Sequence, residues 1–550
     1  MLPIEYRTQR TDLHFCIGSC FLCDMARAPR FSKQVAIRRL LERDSDSSEA
    51  EDEDFGHRSD ESETEELMNL EEIHAATSST ETEEPTQEGD VIRKDLTSKD
   101  GNVWQCNPPV ISGRRDAANV LHEKGGPKRI ANKSSLLDTW SLFFTDEILN
   151  TIIHYSNAKA EQLNITLRFD VLSLKAVIGL LYFRGASMDQ QIPVRDLFAE
   201  SANSFYRTVM SRNDLVTFLS ILSFDDRTTR QVRKETDKFA AFREVFELWN
   251  ETLPKYFTPS GFLTIDEQLV SSRCRSPNRI FNPMKPGKFG ELVRWIGDAE
   301  FRYFYRANPL TKRPNDPHAA QMHKVENQVI HVVEDLLKPF QKMKGINVTA
   351  DRYFSSLSLT EKLLQEYKMT YIGTMQNKRR EIPPILQESQ EISSSKFVFG
   401  GTDLRTTMVA YQATKAKSVI MISTLHHDIE IDNSDDATKP SIIKDYNRTK
   451  SGIDVVDKMA KRFTTRCSTR RWTMVHFQNL LDISAINVST IFNIFHPDWH
   501  PSAKHQRRRH TILQLAKELV MEHTVRIQLR LVASVADLRI QLVFTEMWSI

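Results

Sequence analysis

The spacing of apolar residues changes near residue 259, and this change limits the folds open to the 550-residue chain. Upstream, from about residue 136, apolar residues recur three or four positions apart, which predicts helices. Downstream the pattern becomes short and β-rich, with one helical stretch between the last two strands. Strands that lead into a strand–helix–strand unit predict a mixed sheet with helices packed against it. The predicted strands cover residues 261–266, 292–297, 301–305, 346–351 and 369–373, and the helical stretch covers residues 357–367.

A second β-rich block, residues 397–425, precedes a clear helix at residues 453–463. We interpret the block as an insertion into the α/β domain. The chain is therefore expected to comprise a mostly disordered acidic arm (1–135), a helical region (136–258), an α/β domain in two pieces (259–376 and 446–495), the insertion (377–445) and a basic C-terminal tail with a helix (496–550).

The formal net charge of +1 averages two opposite regions. Residues 42–90 hold 20 acidic and two basic side chains, which leaves 72 Lys and Arg against 53 Asp and Glu elsewhere. Such an arm, poor in aromatics, cannot bury enough apolar surface to offset chain entropy. A basic body suggests a polyanionic partner, because neutralising phosphates releases condensed counterions. Solvated surface charge is the alternative.

The cysteine content and the apolar segments indicate in which cellular compartment the protein is expected. Six cysteines are too few and too scattered for a disulfide framework, which favours a reducing compartment. Residues 13–23 mimic a signal peptide, but Glu5 and Asp12 lie where positive charge is expected. His14 with Cys16, Cys20 and Cys23 lacks a second pair of ligands, so no zinc site is predicted. No run of 18 apolar residues exists, so no membrane span is expected.

Four aspartates carry the candidate chemistry. Asp266 and Asp351 each end a predicted strand, where rigid backbone directs side chains into the crevice of an open sheet. Asp454 and Asp457 lie three residues apart on a helix, beside an apolar stripe that could dock on the sheet. Converging carboxylates repel each other unless they bind cations, and Mg²⁺ and Mn²⁺ prefer oxygen ligands. The alternative is ordinary turn chemistry for the strand acids and solvation for the helical pair.

These acids lie in long motifs that resemble the piggyBac transposase family, across roughly residues 143–495. The first reads Leu-Thr-Ile-Asp-Glu-Gln-Leu (263–269) and the second Asp-Arg-Tyr-Phe-Ser-Ser (351–356). The third runs from Tyr446 to Met459 and is followed by Thr-Arg-Arg-Trp (469–472). Because several long motifs occur in the right order, chance agreement is excluded as an explanation.

The resemblance implies an RNase H-like catalytic domain, interrupted by an insertion and preceded by a helical dimerisation and DNA-binding region. It implies a nuclear, homodimeric DNA transposase that cuts double-stranded DNA at transposon ends and joins it to TTAA targets. Asp266, Asp351 and Asp454 would ligate two Mg²⁺ or Mn²⁺ ions, with Asp457 as an accessory fourth acid.

Basic residues surround the motifs, and we expect them to contact phosphates, which position DNA without reading its sequence. Compensation of the aspartate charge, or simple solvation, is the alternative for any one of them. They are Lys285, Lys288, Arg448, Lys450, Lys461, Arg462, Arg470 and Arg471.

The chain departs from the family pattern in three places. Arg352 follows the second acid where Asn is usual, and Ser451 replaces the first Gly of a Gly-Gly pair. No cysteine follows Cys467, so the cysteine-rich zinc domain of many members cannot form. Residues 504–510 and a helix predicted at 512–531 take its place, either as a basic DNA-binding or nuclear-import element or without a role.

Two other functions compete with an active transposase. A domesticated DNA-binding or chromatin protein would keep the fold without transposition, and the missing zinc domain favours it. A nuclease of RNase H-like fold that acts on other substrates is disfavoured, because the matching motifs extend well beyond the acids.

Overall fold

The computed structural model describes residues 96–110, 124–415, 417–432, 439–500 and 506–547. The acidic segment 42–90, the signal-like residues 13–23 and the three N-terminal cysteines lie outside the described residues. Within the described part, Cys106, Cys274 and Cys467 are free thiols. No helix in that part is long and apolar enough to cross a membrane.

Helices dominate the first half of the described chain, as the apolar spacing predicts, and return at its end. They are α1 (Leu136–Ser141), α2 (Asp146–Gln162), α3 (Val171–Ala186), α4 (Val194–Leu197), α5 (Phe205–Val209), α6 (Arg212–Ile221), α7 (Arg230–Thr236), α8 (Arg243–Asn250), α9 (Pro317–Glu326), α10 (Val329–Leu337), α11 (Leu357–Gln365), α12 (Ser441–Lys450), α13 (Gly452–Arg462), α14 (Trp472–Phe495) and α15 (Arg507–Met547).

Nine of the described strands form one mixed sheet, which confirms the predicted α/β class. Its order is β4-β5-β3-β7-β8-β11-β10-β9, and β6 also pairs with β5. The pairs β3–β7 and β7–β8 are parallel, and the others are antiparallel. The strands are β1 (Gly126–Pro127), β2 (Phe257–Thr258), β3 (Phe262–Ser271), β4 (Ile280–Phe281), β5 (Phe289–Asp298), β6 (Phe304–Pro309), β7 (Asn347–Ala350), β8 (Thr370–Met375), β9 (Ser395–Gly400), β10 (Thr406–Thr414), β11 (Lys417–Ser423), β12 (Ile431–Asp432) and β13 (Lys439–Pro440).

The predicted strand at residues 301–305 begins three residues too early. The Asp298 carboxylate accepts the backbone N–H groups of Glu300 and Phe301, at 2.9 and 2.8 Å. This bonding holds residues 299–303 in a turn, so the strand starts only at Phe304. Hydrogen bonds to a side chain take the place of strand pairing here, and apolar content alone does not predict this.

Asp266 does not end its strand, contrary to the sequence-based expectation. It is the fifth of ten residues in β3, because β5 pairs with β3 from Leu263 to Ser271. The other neighbour, β7, pairs only from Phe262 to Ile265. Asp266 therefore lies where the parallel neighbour stops, and its side chain borders the opening that this leaves.

The β-rich block at residues 397–425 does not form a sheet of its own. Its strand β11 pairs with β8, and β10 and β9 follow outward, so the block extends the central sheet. Its definition as an inserted domain remains a prediction about boundaries, because pairing to β8 joins it to the same sheet.

Order begins before residue 136, contrary to the sequence-based boundary. Trp104 is buried, and the backbone of Gln105 exchanges hydrogen bonds of 2.9 and 2.8 Å with Phe399 on the edge strand β9. A Cβ on Gly400 would come within 2.5 Å of the Trp104 ring, so glycine leaves room for the indole. The segment covers a sheet edge that would otherwise expose unpaired backbone groups.

Helix α14 is buried along most of its length and lies between the sheet and the helical region. The Asn487 amide bonds both the N–H and the carbonyl of Phe304 in β6, at 3.0 and 2.9 Å. On the helical side, the Tyr182 hydroxyl of α3 donates to the Leu481 carbonyl at 2.8 Å. The helix therefore has cover on two sides, and its buried polar side chains bond to the elements that cover it.

Helix α15 packs along α3 at very close range. A Cβ at Gly179 of α3 would lie 2.6 Å from Val520 and 2.9 Å from the Ala516 carbonyl. The buried face of α15 includes Leu515 and Leu519. The helix expected at residues 512–531 is therefore confirmed, and it is part of the folded body rather than a free tail.

We predict that Gly179→Val lowers the free energy of unfolding by about 2–3 kcal/mol, because the added methyl groups overlap the α15 backbone. Gly179→Ala should cost less, since it adds only the Cβ and gains helix propensity. Chemical denaturation measures both. Equal stability of the valine variant and the wild type would contradict this packing.

Candidate active site

Strand register makes neighbours of the first two acids. The parallel pairing of β3 with β7 places Thr264 beside Thr349 and Ile265 beside Ala350. The next step of the same register brings Asp266 beside Asp351, on strands about 4.8 Å apart. Since side chains alternate between faces, Asp266 projects from the same face as Thr264.

The junction of α12 and α13 lies directly on that face. The Thr264 hydroxyl donates to the Thr449 carbonyl at 2.7 Å, and the hydroxyls of Thr349 and Thr449 lie 2.7 Å apart. A Cβ at Gly452 would approach the Thr264 oxygen to 2.9 Å. One threonine at the end of α12 therefore contacts both strands that carry the acids.

Asp457 is held further along β3. The Gln268 amide donates to its carboxylate at 2.9 Å, and Lys461 lies 2.6 Å from its other oxygen. The Gln268 carbonyl oxygen accepts from the Trp295 indole and from Asn479, both at 3.0 Å. The amide is therefore fixed in orientation, and Asp457 faces the column of β3 residues that contains Asp266.

Asp454 lies between these two anchors, in the first turn of α13, and is solvent-exposed. A carboxylate is favoured there by the positive end of the helix dipole. Burial, together with the charges of Asp454 and then Asp351, raises the pKa of Asp266 to about 7, although the Glu267 N–H and Lys285 oppose the shift. The charges of two acids from the other motifs thus act on Asp266.

Asp351 follows the end of β7 and is partly buried. Burial raises its pKa, against the opposing effect of the backbone N–H groups of Tyr353 and Phe354. The Tyr353 N–H donates to its carboxylate at 2.9 Å. The turn that follows the strand therefore fixes the orientation of this carboxylate.

Tyr446 is a component of the site that the sequence interpretation used only as the start of a motif. Burial raises the pKa of its phenol to about 12, with further contributions from Asp351, Asp266 and Asp454. The Lys450 ammonium lies 5.5 Å from the centre of its ring. Its position three residues before Thr449, on the same helix, is the signal that could have identified it.

The donor set fits a hard divalent cation in chemistry, since it consists of carboxylate oxygens whose charges nearby lysines offset only in part. In the conformation described, no group of three or more His, Cys, Asp or Glu side chains among the described residues has the spacing to hold a metal ion. Metal binding there would require the three carboxylates to come closer together.

Several of the predicted phosphate contacts instead lie against the acids. The Lys285 ammonium donates to the Glu267 carbonyl at 3.0 Å and lowers the pKa values of Asp266 and Asp351. Lys461 pairs with Asp457. Burial lowers the pKa of Lys450, while Asp454 opposes that shift. Charge compensation therefore describes these three lysines in this conformation.

The remaining basic residues occupy varied positions. Arg448 stacks over the Phe262 ring at 4.3 Å, and Arg462 lies 5.4 Å from the centre of the Phe463 ring. Lys288 and Arg470 are exposed. Arg471 departs from expectation: its guanidinium donates to the carbonyls of Leu219, at 3.0 Å, and Leu222 at the end of α6. It caps a helix and is not retained as a phosphate contact.

Similarity to known proteins identifies the family of this chain. Residues 137–488 match the family model described as Transposase IS4, so the chain is a transposase by family. A solved piggyBac transposase synaptic complex with hairpin DNA is 29% identical, with a TM-score of 0.67 over 74% of this chain and 84% of that one. The chain belongs to the piggyBac-type transposase family.

Two human relatives are more distant. PiggyBac transposable element-derived protein 3 is 21% identical over 349 residues, which cover 60% of this chain and 56% of that protein. PiggyBac transposable element-derived protein 2 is 20% identical over 377 residues, which cover 64% and 61%. The matched part therefore spans less than two thirds of either relative.

We predict that Asp266→Asn raises the free energy of unfolding of the metal-free protein at pH 8 by about 1–3 kcal/mol, because it removes a buried charge repelled by Asp454 and Asp351. Denaturation in the presence of a chelator measures the change. Asp457→Asn is the control, and it should not stabilise, since that carboxylate is already paired with Gln268 and Lys461. Destabilisation by both variants would contradict the repulsion.

Proposed function

We propose that the chain is a metal-dependent DNA transposase that cleaves DNA and transfers strands at TTAA sites. The observation that carries this proposal is that the charges of Asp454 and Asp351 raise the pKa of the buried Asp266, and these three acids belong to three separate family motifs. A buried acid whose pKa is raised by neighbouring acids is typical of a residue kept for function rather than stability.

In this proposal Asp266, Asp351 and Asp454 hold two Mg²⁺ or Mn²⁺ ions. Such a pair, when bound, stabilises the attacking and leaving oxygens of a phosphoryl displacement. Asp457 orients the helix through its hydrogen bond from Gln268 of β3 and is paired with Lys461 of its own helix, rather than ligating directly. The Tyr446 phenol, whose pKa is about 12, stays protonated at neutral pH and can donate a hydrogen bond to a phosphate oxygen.

We further propose that Lys285 exchanges partners. Without a cation it offsets the charge of the acids, and it is released when that charge is neutralised, so that its ammonium becomes available to a DNA phosphate. Lys285 would then contact a phosphate in the DNA complex, although it lies beside the acids in this structure. Exposed Lys288 and Arg470 remain candidate phosphate contacts, as do Arg448, Lys450, Lys461 and Arg462.

The catalytic domain is proposed to be RNase H-like and to comprise residues 259–376 and 446–495. Three antiparallel strands followed by two parallel ones, with one acid on β3 and another directly after the adjacent β7, support that assignment. Residues 136–258 are proposed as the helical dimerisation and DNA-binding region, and residues 377–445 as the insertion. A homodimer acting on double-stranded DNA in the nucleus completes the proposal.

A domesticated DNA-binding protein is the second candidate. The names of the human relatives describe transposable element-derived proteins, and Arg352 and Ser451 depart from the family pattern. Under this alternative the fold and DNA affinity would persist without excision. Genomic context distinguishes the two, because flanking inverted repeats with TTAA duplications would mark a mobile element.

We predict that the protein excises a reporter flanked by family-type transposon ends, and that Asp351→Ala abolishes excision by at least about a hundredfold because it removes a ligand from the proposed centre. Arg352→Asn, which installs the residue usual in the family, is the matched neighbour and should keep or increase activity. Gel-shift binding of the same ends should survive in Asp351→Ala.

Equal background excision by the wild type and Asp351→Ala, with DNA binding intact in both, would reject the transposase and leave the DNA-binding function. Loss of binding in Asp351→Ala would instead indicate a folding defect, and Asp351→Asn then supplies the comparison, because it keeps the shape of the side chain.

A further inference from the structure

Three consecutive arginines at the start of α15 each bond the end of a different helix. Arg507 donates to the carbonyls of His496 and Pro497, at 2.7 and 3.0 Å, just past the end of α14. Arg508 donates to the Met459 carbonyl in the last turn of α13, at 2.8 Å. Arg509 donates to the Ala186 carbonyl, at the last residue of α3, at 2.7 Å.

These contacts answer a general need of helix C-termini. The last four carbonyls of a helix lack partners within the helix and carry the negative end of its dipole, so a cation there is stabilising. The sequence segment 504–510 suggests a basic DNA-binding or nuclear-import element. Arg507, Arg508 and Arg509 direct donors at backbone carbonyls, so these three side chains also have an internal role that the sequence interpretation did not include.

Arg508 differs from its neighbours in what it holds. Its guanidinium lies 5.0 Å from the centre of the Phe463 ring, which follows α13 directly, and Arg462 lies 5.4 Å from the same ring. Among the described residues Arg508 forms no ion pair within 4 Å, so its half-buried charge is stabilised by the helix end and the ring, with a further favourable effect of the Asp482 carboxylate. Burial, and then the charge of Arg462, lower its pKa to about 10, so it remains a cation at neutral pH.

Helix α13 is therefore fixed at three points. Its N-terminal end follows Thr449, which contacts Thr264 and Thr349. Its middle is held where Asp457 meets Gln268. Its C-terminal end is held by Arg508. Asp454 is exposed, and its position over β3 is inherited from the helix.

We propose that Arg508 is a positioning residue for the metal centre: by fixing the C-terminal end of α13 it sets where Asp454 stands relative to Asp266 and Asp351. This inference rests on the proposed function. It also gives α15 a role, because the segment that stands where many family members have a zinc domain would here brace the catalytic helix from outside the α/β domain.

The triplet supplies its own controls. Arg507 and Arg509 make the same kind of bond from adjacent positions, yet the helices they cap, α14 and α3, carry none of the four acids. Substitution of each arginine by glutamine in the full-length chain removes one cap and one charge. The three variants then differ mainly in which helix loses its anchor.

The test is Mn²⁺ binding followed by the electron paramagnetic resonance of free Mn²⁺, together with the free energy of unfolding of each variant. Arg508→Gln should weaken Mn²⁺ binding about tenfold, as expected when a supporting group is lost. Arg507→Gln and Arg509→Gln should keep the wild-type affinity within about twofold even where they lose similar stability. Arg508→Lys, which retains the cation, should recover part of the affinity and remains informative if Arg508→Gln does not fold.

Wild-type Mn²⁺ affinity in Arg508→Gln, or an equal loss in all three glutamine variants, would overturn the positioning role while leaving the proposed function intact. A wild-type protein that binds Mn²⁺ no better than Asp351→Asn would reject the proposed metal centre, and the role of Arg508 with it.

Discussion

The contact of Thr449 with Thr264 and Thr349 is the constraint on which the rest of the site depends. It joins residues 185 and 100 positions apart in the chain, and both of its hydrogen bonds are 2.7 Å long. Because Thr264 and Thr349 are register partners two residues before Asp266 and Asp351, anything docked on the threonines begins next to the acids. Helix α13 starts three residues after Thr449, so its first turn, which holds Asp454, also lies next to the strand acids.

The electrostatic interactions within the site are unfavourable to the folded state. Burial and neighbouring charge raise the pKa of Asp266, and burial raises that of Asp351, so the folded chain holds carboxyl groups in surroundings that disfavour their ionised form. Lys285 and the backbone N–H groups offset only part of this cost. The stabilisation is supplied elsewhere, by the buried helix α14, the close contact of α15 with α3 and the arginine caps. The cations of the proposed centre would relieve the repulsion on Asp266.

Much of this architecture could be predicted from local patterns. The change from helical to β-rich spacing gave the fold class, and the motifs around Asp266, Asp351 and Asp454 gave the acids. What could not be predicted depended on pairing between distant segments. The length of β3 depends on its pairing with β5. Residues 96–110 are held by packing of Trp104 against β9 and by the backbone bonds of Gln105 to Phe399. The role of Gln268 depends on its contact with Asp457. The contacts of the basic residues were least predictable, because a guanidinium binds a phosphate and the carbonyls of a helix end equally well. Arg471 and Arg508 both donate to carbonyls at helix ends.

The proposed function requires Asp454, Asp266 and Asp351 to come together around divalent cations. Anomalous X-ray scattering from crystals of the full chain grown with Mn²⁺ and a DNA hairpin tests it most directly. The account predicts manganese peaks within about 2.0–2.3 Å of carboxylate oxygens from all three aspartates. Manganese bound elsewhere, or bound to the strand acids with Asp454 turned to solvent, would contradict it.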